Sequence, residues 1–425
     1  MPSSGKDALK HIISTCFFTS KIPSAWKDAT IYPIPKPKEW HCYLQNTRPI
    51  TLLDTARKLM TKILYNRLAP LLKNNSVLTG GNFASLPGGS CDPPIMILDS
   101  IIHDAKINNK PLFIFLQDIS KAFDSIDCNM LKLALQRLNL PAISINLVLE
   151  LFTNRCNTII TAHGSTDPYK VKVGIDQGEV ISPLLWVIYI DPLLTVLRQE
   201  NTHPYIMRSA STSVAISNLT FMDDSNLIAS HIDGLKHMIT IAQEFYDLNN
   251  TKINFDKAEL ICNRDPDIPD LPLPSASQPF TFVLPSKQFS IIPLPLRSSF
   301  RFLGVWFTFA FSSAFVKQQS KTEYSLFAKK LSNKHLTIDQ IHYLHNAVLL
   351  PRVEYHLKAT MLSEKDCKEI MSPMKKFFKN TTHLTTSIPD AFFQALLSTF
   401  LTFSLESLLI MLARLKRILL WTMAH

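Results

Sequence analysis

The sequence predicts a mixed α+β fold, and three observations carry that expectation. Leu112-Phe113-Ile114-Phe115-Leu116 is a continuous apolar run, the mark of a strand buried on both faces. Ser217 to Ala229 reads as two short strands meeting at Phe221-Met222-Asp223-Asp224, a hairpin with two adjacent carboxylates standing in the open at its tip. Around these strands lie stretches with helical periodicity, and from Phe315 to Thr382 the pattern is helical and basic. Neighbouring carboxylates repel and raise each other's pKa, and a hard divalent cation such as Mg²⁺ removes that conflict. A solvated turn would present the same two residues, since Asp is common in turns. The pair alone therefore decides nothing.

Composition narrows the choices. A chain of 425 residues, 46% apolar and 18% charged, builds two or three domains with real cores and is not disordered. Its net charge of +10 is unevenly spread. Residues 1–110 hold 14 Lys and Arg against 7 Asp and Glu, residues 111–262 hold 11 against 16, and residues 263–425 hold 19 against 11. An acidic middle between basic flanks suits a metal site between two phosphate-gripping lobes. The seven cysteines are scattered and form no C-x-x-C, which points to a reduced intracellular protein, in cytoplasm or nucleus, without a zinc knuckle. Lys6 and Lys10 precede too short an apolar run for a signal peptide.

In chain order, prolines stiffen Ile31 to Pro37 into extended backbone and leave Lys36 and Lys38 projecting. Asn46-Thr47-Arg48-Pro49-Ile50 follows, then a helix from Asp54 to Leu72. Asp54 serves as its N-cap, and Leu59, Ile63, Leu64 and Leu68 make the apolar face. Arg57, Lys58, Lys62 and Arg67 fill the rest and are candidates for phosphate contact. Gly80-Gly81-Asn82-Phe83 marks a loop that brings backbone close to a neighbour. The buried strand ends in Gln117-Asp118, an acid that must be solvated, paired or metal-bound. A helix capped by Asp127 comes next, then a strand, a turn at Gln177-Gly178 and an apolar helix with Pro183 in its first turn. Residues 199–213 read as a surface loop, and 264–299, with eight prolines, as an irregular and mobile insertion. The run 391–412 is apolar, but Gln394 and Glu406 within it favour a buried helix over a membrane span.

The order of these pieces resembles the reverse transcriptases of non-LTR (LINE-type) retrotransposons over roughly residues 22–380. TRPITLLDTARKLMTKIL is similar to their second fingers motif, LQDISKAFDSI to palm motif A, GIDQGEVISPLLW to motif B and FMDD to motif C. INFDKAEL resembles motif D and FRFLGVWF the primer-grip motif E. The resemblance implies a right-hand polymerase: fingers over 1–110, an antiparallel-sheet palm over 111–262, a Pro-rich insertion over 263–299, a primer-grip hairpin over 300–314, a helical thumb over 315–382 and an apolar tail over 383–425. It implies two Mg²⁺ ions (Mn²⁺ in their place) held by Asp118, Asp223, Asp224 and the Ile119 carbonyl. Arg48, with Lys36 as helper, would bind the triphosphate, Gln177 and Gly178 would line the nucleotide pocket, and Lys257 would protonate pyrophosphate. Phe123 stands five positions after Asp118, where RNA-dependent RNA polymerases tend to place an acid, and would exclude a 2′-hydroxyl.

The implied activity is RNA-directed DNA synthesis from an RNA template, a DNA primer and deoxynucleoside triphosphates, with membrane attachment not expected. Two alternatives stay open: a decayed element that binds nucleic acid without catalysis, and an RNA-dependent RNA polymerase. Asp176 and Glu179 depart from the usual neutral or basic neighbours of motif B. The chain carries no recognisable endonuclease, zinc knuckle or RNase H segment, as expected of a polymerase core.

Overall fold

The fold is that of a computed structural model describing residues 3–382, apart from 37–40, 42, 209–211, 269, 275–277, 285–286 and 311, together with residue 385. Helix α1 (Ser3–Thr19) precedes strand β1 (Asp28–Pro35), and β2 (Thr47–Leu52) returns antiparallel to it with Arg48 opposite Ile34. Asp54 caps α2 (Thr55–Asn74) by accepting the Ala56 and Arg57 N–H groups at 2.7 and 3.3 Å. The inner face of α2 is only partly the one its leucines suggest. Leu59 is exposed and Ile63 half-buried, while Arg57, Met60, Thr61, Leu64 and Leu68 point inward. A buried Arg cannot be read from apolar periodicity, because its place depends on partners far along the chain.

After α3 (Asp92–Ile107), β3 (Phe113–Ser120) carries the apolar run. Phe113 and Phe115 enter one core while Leu112 and Ile114 enter another, so the strand is buried on both faces as expected. A left-handed Lys121 (φ 51°) turns the chain into α4 (Ala122–Ser125). Then come α5 (Cys128–Arg137), capped by Asp127, and α6 (Ala142–Glu150). Strand β4 (Arg155–Thr161) pairs parallel with β1, and antiparallel with β5 (Gly164–Ser165) and β6 (Tyr169–Val171). Residues 155–171 thereby join the fingers sheet, although they lie within the span expected for the palm.

Helix α7 (Ser182–Gln199) has Pro183 in its first turn and is buried along most of its length. Where a surface loop was expected, β7 (Tyr205–Arg208) and β8 (Ser213–Ile216) form a hairpin. Tyr205 is buried there, with its hydroxyl on Asp104 at 2.6 Å. Strands β9 (Asn218–Phe221) and β10 (Asp224–Ala229) form the Asp-pair hairpin, followed by α8 (Ile232–Leu248), β11 (Lys252–Ile253) and β12 (Glu259–Cys262). The palm sheet runs β11-β3-β10-β9 with β12 also on β3, antiparallel throughout.

The Pro-rich stretch is more ordered than its composition suggests. It contains the hairpin β13 (Phe280–Val283) and β14 (Gln288–Ile291), and Phe282 stacks on Phe289 at 5.0 Å while Phe280 and Phe282 enter the main core. Strands β15 (Ser299–Phe302) and β16 (Val305–Thr308) form the next hairpin. A helical lobe with its own core closes the described chain: α9 (Ala314–Ser332), α10 (Ile338–Leu344), α11 (Leu350–His356) and α12 (Glu364–Thr381). Lys38 and the apolar run 391–412 lie outside the described residues. Among those described, no helix is long and apolar enough to cross a membrane.

Candidate active site

The antiparallel register sets Asp224 of β10 directly opposite Asp118 of β3, with Asp223 at the turn beside them. The sheet thus assembles three carboxylates that are 106 positions apart at their extremes. Asp118 has its carbonyl bonded to Asn254 N–H at 2.9 Å. Antiparallel alternation then directs the Ile119 carbonyl away from β11 and toward the edge where β10 begins.

The hairpin tip is open at its carboxylates, with Asp224 exposed and Asp223 half-buried, but its backbone is anchored. Met222 takes a left-handed φ of 57°. Asn82 accepts the Met222 N–H at 3.2 Å and donates to its carbonyl at 3.2 Å. Trp186 donates its indole N–H to the same carbonyl at 3.0 Å, and the Ser85 hydroxyl meets the Met222 sulfur at 3.2 Å. These contacts over-determine a strained residue next to the acids. The glycine-rich loop therefore approaches the Asp-pair hairpin itself. Phe83 N–H also bonds Thr220 O at 3.0 Å, and Asn218 donates to Gly80 O at 3.2 Å, so β9 is buried on both faces rather than half-buried.

Electrostatics follow from this packing. Burial first, then repulsion from Asp223 and Asp118, pushes the Asp224 carboxyl up to about 6, against opposing pulls from Arg301 and Lys257. Burial also raises Asp223, helped by Asp118 and opposed by Arg48. Mutual repulsion acts as expected, but desolvation leads. The Asp118 carboxylate is turned onto Lys257, 2.6 Å from its ammonium. Among the described residues, no three Asp, Glu, His or Cys side chains are already drawn together at metal-ligand spacing.

The other expected site residues take the following places. Arg48 is exposed on β2 and acts on Asp223 through its charge. Lys36 lies just beyond β1, its N–H on Asn46 O at 2.8 Å. Gln177 donates to the Asp124 carboxylate at 3.3 Å, and its carbonyl accepts Thr51 N–H at 2.7 Å. Gly178 (φ 130°) needs its lack of a side chain, because a Cβ there would stand 2.5 Å from Thr51 O. Phe123 is half-buried and stacks on Trp186 with centroids 6.2 Å apart. Lys257 closes the single turn Phe255–Lys257.

Three features escaped the sequence reading. Arg301, on β15, acts on Asp224; its only signal was a charge inside an aromatic strand. Asn82 had no signal beyond its glycine neighbours. Arg57, read as a phosphate contact, is 0% exposed and bonded to Glu179 and Asp176 at 2.7 and 2.9 Å. Asp176 and Glu179 are thus buried counterions of Arg57 and Arg155.

Residues 34–307 match the family model described as reverse transcriptase (RNA-dependent DNA polymerase). The Pol polyprotein of the type-1 retrotransposable element R2 from Popillia japonica is 24% identical over 250 residues, 59% of this chain and 34% of that protein. The RNA-directed DNA polymerase from mobile element jockey of Drosophila melanogaster is 24% identical over 269 residues, 60% of this chain and 28% of that protein. The chain matches about a third or less of the length of these two relatives. Apo telomerase from Candida tropicalis aligns at a TM-score of 0.44 and 13% identity, covering 96% of this chain and 68% of that one. The chain belongs to the reverse transcriptase family, among the polymerases of non-LTR retrotransposons.

Proposed function

We propose that the chain is an RNA-directed DNA polymerase, extending a DNA primer on an RNA template with deoxynucleoside triphosphates. The observation that carries this reading is the pairing of Asp118 with Asp224 across two strands, beside Asp223, where burial and repulsion hold carboxylates above their ordinary range. Hard carboxylate oxygens fit Mg²⁺ or Mn²⁺, with Asp118, Asp223, Asp224 and the Ile119 carbonyl as the holding groups. Two such ions, when bound, acidify the primer 3′-hydroxyl and neutralise the triphosphate.

The remaining work falls to side chains. Arg48, aided by Lys36, presents charge-assisted donors to the triphosphate. Gln177 and Gly178 form one wall of the nucleotide pocket, and Phe123 fills the space a 2′-hydroxyl would need. Lys257 acts as a general acid toward pyrophosphate in this reading, which its ion pair with Asp118 supports. The six described cysteines are all free, which supports a reducing intracellular compartment.

The test is extension of oligo(dT) on poly(rA) with dTTP against UTP. Metal-dependent dTTP incorporation, lost in Asp223→Asn with nucleic-acid binding retained, is expected. Binding without extension would mark a decayed element, and preference for UTP would mark an RNA polymerase.

A further inference from the structure

We propose that Arg57 is a positioning residue of the nucleotide pocket, one buried guanidinium holding both flanks of the Gln177-Gly178 turn. The inference rests on the polymerase reading above and names how its pocket is kept in shape. Only two residues separate Asp176 from Glu179, and they are the two that wall the pocket. Arg57 donates from Nη2 to Asp176 at 2.9 Å and from Nε to Glu179 at 2.7 Å, so a single planar fork spans the turn. Its other donors reach Trp26 O at 2.8 Å and Leu151 O at 3.2 Å.

The acids are satisfied on their far sides too. The second Asp176 oxygen accepts from Arg155 at 2.6 Å. The second Glu179 oxygen accepts the Thr61 hydroxyl at 2.6 Å and Val180 N–H at 2.8 Å. Two arginines and two acids balance in charge, and all four side chains are 2% exposed or less. A well-packed apolar cluster would serve stability as well or better, so a network this complete points to geometry being specified.

The geometry in question is the spacing between fingers and turn. Arg57 belongs to α2, which is separated from β2 by two residues, and β2 carries Arg48. The turn itself lies against β2, through the Thr51 N–H bond to Gln177 O and the side-chain-free approach of Gly178 to Thr51 O. Strand, helix and turn thus form a closed frame with Arg57 as its brace. Lys cannot replace a fork that bonds two carboxylates and two carbonyls at once.

The experiment uses the full chain in poly(rA)/oligo(dT) extension with dTTP varied, at a temperature where circular dichroism shows each variant folded. Arg57→Lys is expected to raise the dTTP KM at least roughly tenfold, with kcat and primer–template Kd each within about threefold of wild type. Thr61→Val, which removes one Glu179 partner in an isosteric side chain, should shift KM the same way by a smaller factor. Ile370→Ala, a cavity in the separate core of the helical lobe, is the destabilised control and should leave the dTTP KM in place. A folded Arg57→Lys whose dTTP KM stays within about twofold overturns the proposal, as does an equal KM shift in Ile370→Ala. Should Arg57→Lys fail to fold, Thr61→Val decides: an unmoved KM overturns the brace, and a raised one upholds it. A wild-type chain that extends no primer overturns the polymerase reading and this one with it, whereas normal wild-type extension with an unmoved variant KM overturns the brace alone.

Discussion

Asp224 concentrates the conflict that the fold builds into its candidate active site. Its carboxyl is pushed up to about 6 in the folded chain, from the ordinary Asp value of about 3.9 when unfolded. Between those values the folded state holds a proton that the unfolded state has released, so stability falls as pH rises through that window. Above it the ionised carboxylate is a standing cost. Asp224→Asn should therefore stabilise the fold at pH 7.5 in EDTA by about 0.5–1 kcal/mol after discounting for solvent screening, read as a higher melting temperature. Near pH 4 the two proteins should converge. Mg²⁺ should stabilise the wild type more than the variant, and a variant that melts earlier at pH 7.5 would remove the conflict from this account. Phe123 poses a second question at the same scale, since its ring packs on Trp186 and borders the proposed sugar position. Phe123→Val should relax discrimination against UTP by at least roughly tenfold, about 1.4 kcal/mol, with dTTP use still measurable. A residue that serves only the core would instead slow both nucleotides alike and lower stability by ~1–3 kcal/mol.

The element that most depends on its surroundings is the β9–β10 hairpin. Its turn residue is strained, and loop and helix hold it in place through Asn82, Ser85 and Trp186. Asn82→Ala deletes two of those bonds and should cost about 1–2 kcal/mol of stability. Extension should slow by roughly 10–100-fold through misplacement of Asp223 and Asp224. Single-turnover extension with saturating primer–template measures this, and an unchanged rate would mean the turn keeps its shape without Asn82. The proline-rich hairpin teaches a related lesson. Its prolines suggested irregularity, yet Phe280, Phe282 and Phe289 alternate with polar residues in a strand pattern and fasten it to the core.

At the scale of the molecule, charge is segregated along the chain and again within the helical lobe. Lys317 pairs with Asp366 and Glu369, and Lys321 with Glu369, at 2.7 to 3.0 Å, so α9 and α12 run in the same direction. Their N-terminal halves are cross-linked by these pairs, and Lys329 and Lys330 stand in the last turn of α9. Primer–template binding should weaken steeply with salt, log K falling with log salt at a slope of about −4 to −7 if about 5–8 phosphates are engaged. Equilibrium binding from low to moderate salt measures the slope, and a flat line would sink the reading of the basic lobes as a nucleic-acid grip.

Local signals were enough for much of this protein. The caps Asp54 and Asp127, Pro183 in a first turn, the doubly buried strand at 112–116 and the hairpin around the Asp pair depend on near neighbours or on burial alone. The order of motifs was likewise enough to recognise the family. Tertiary structure decided what no local pattern encodes. It placed Arg57 inside the molecule because its counterions sit 119 and 122 positions away, and it turned the inner face of α2 accordingly. It carried residues 155–171 into the fingers sheet through a parallel pairing with β1 that hydropathy leaves unspecified. The Asp pair showed no environment in the sequence. Its raised pKa values arise from a loop, a helix and a neighbouring strand folding around it, and desolvation of that kind is a property of the folded molecule.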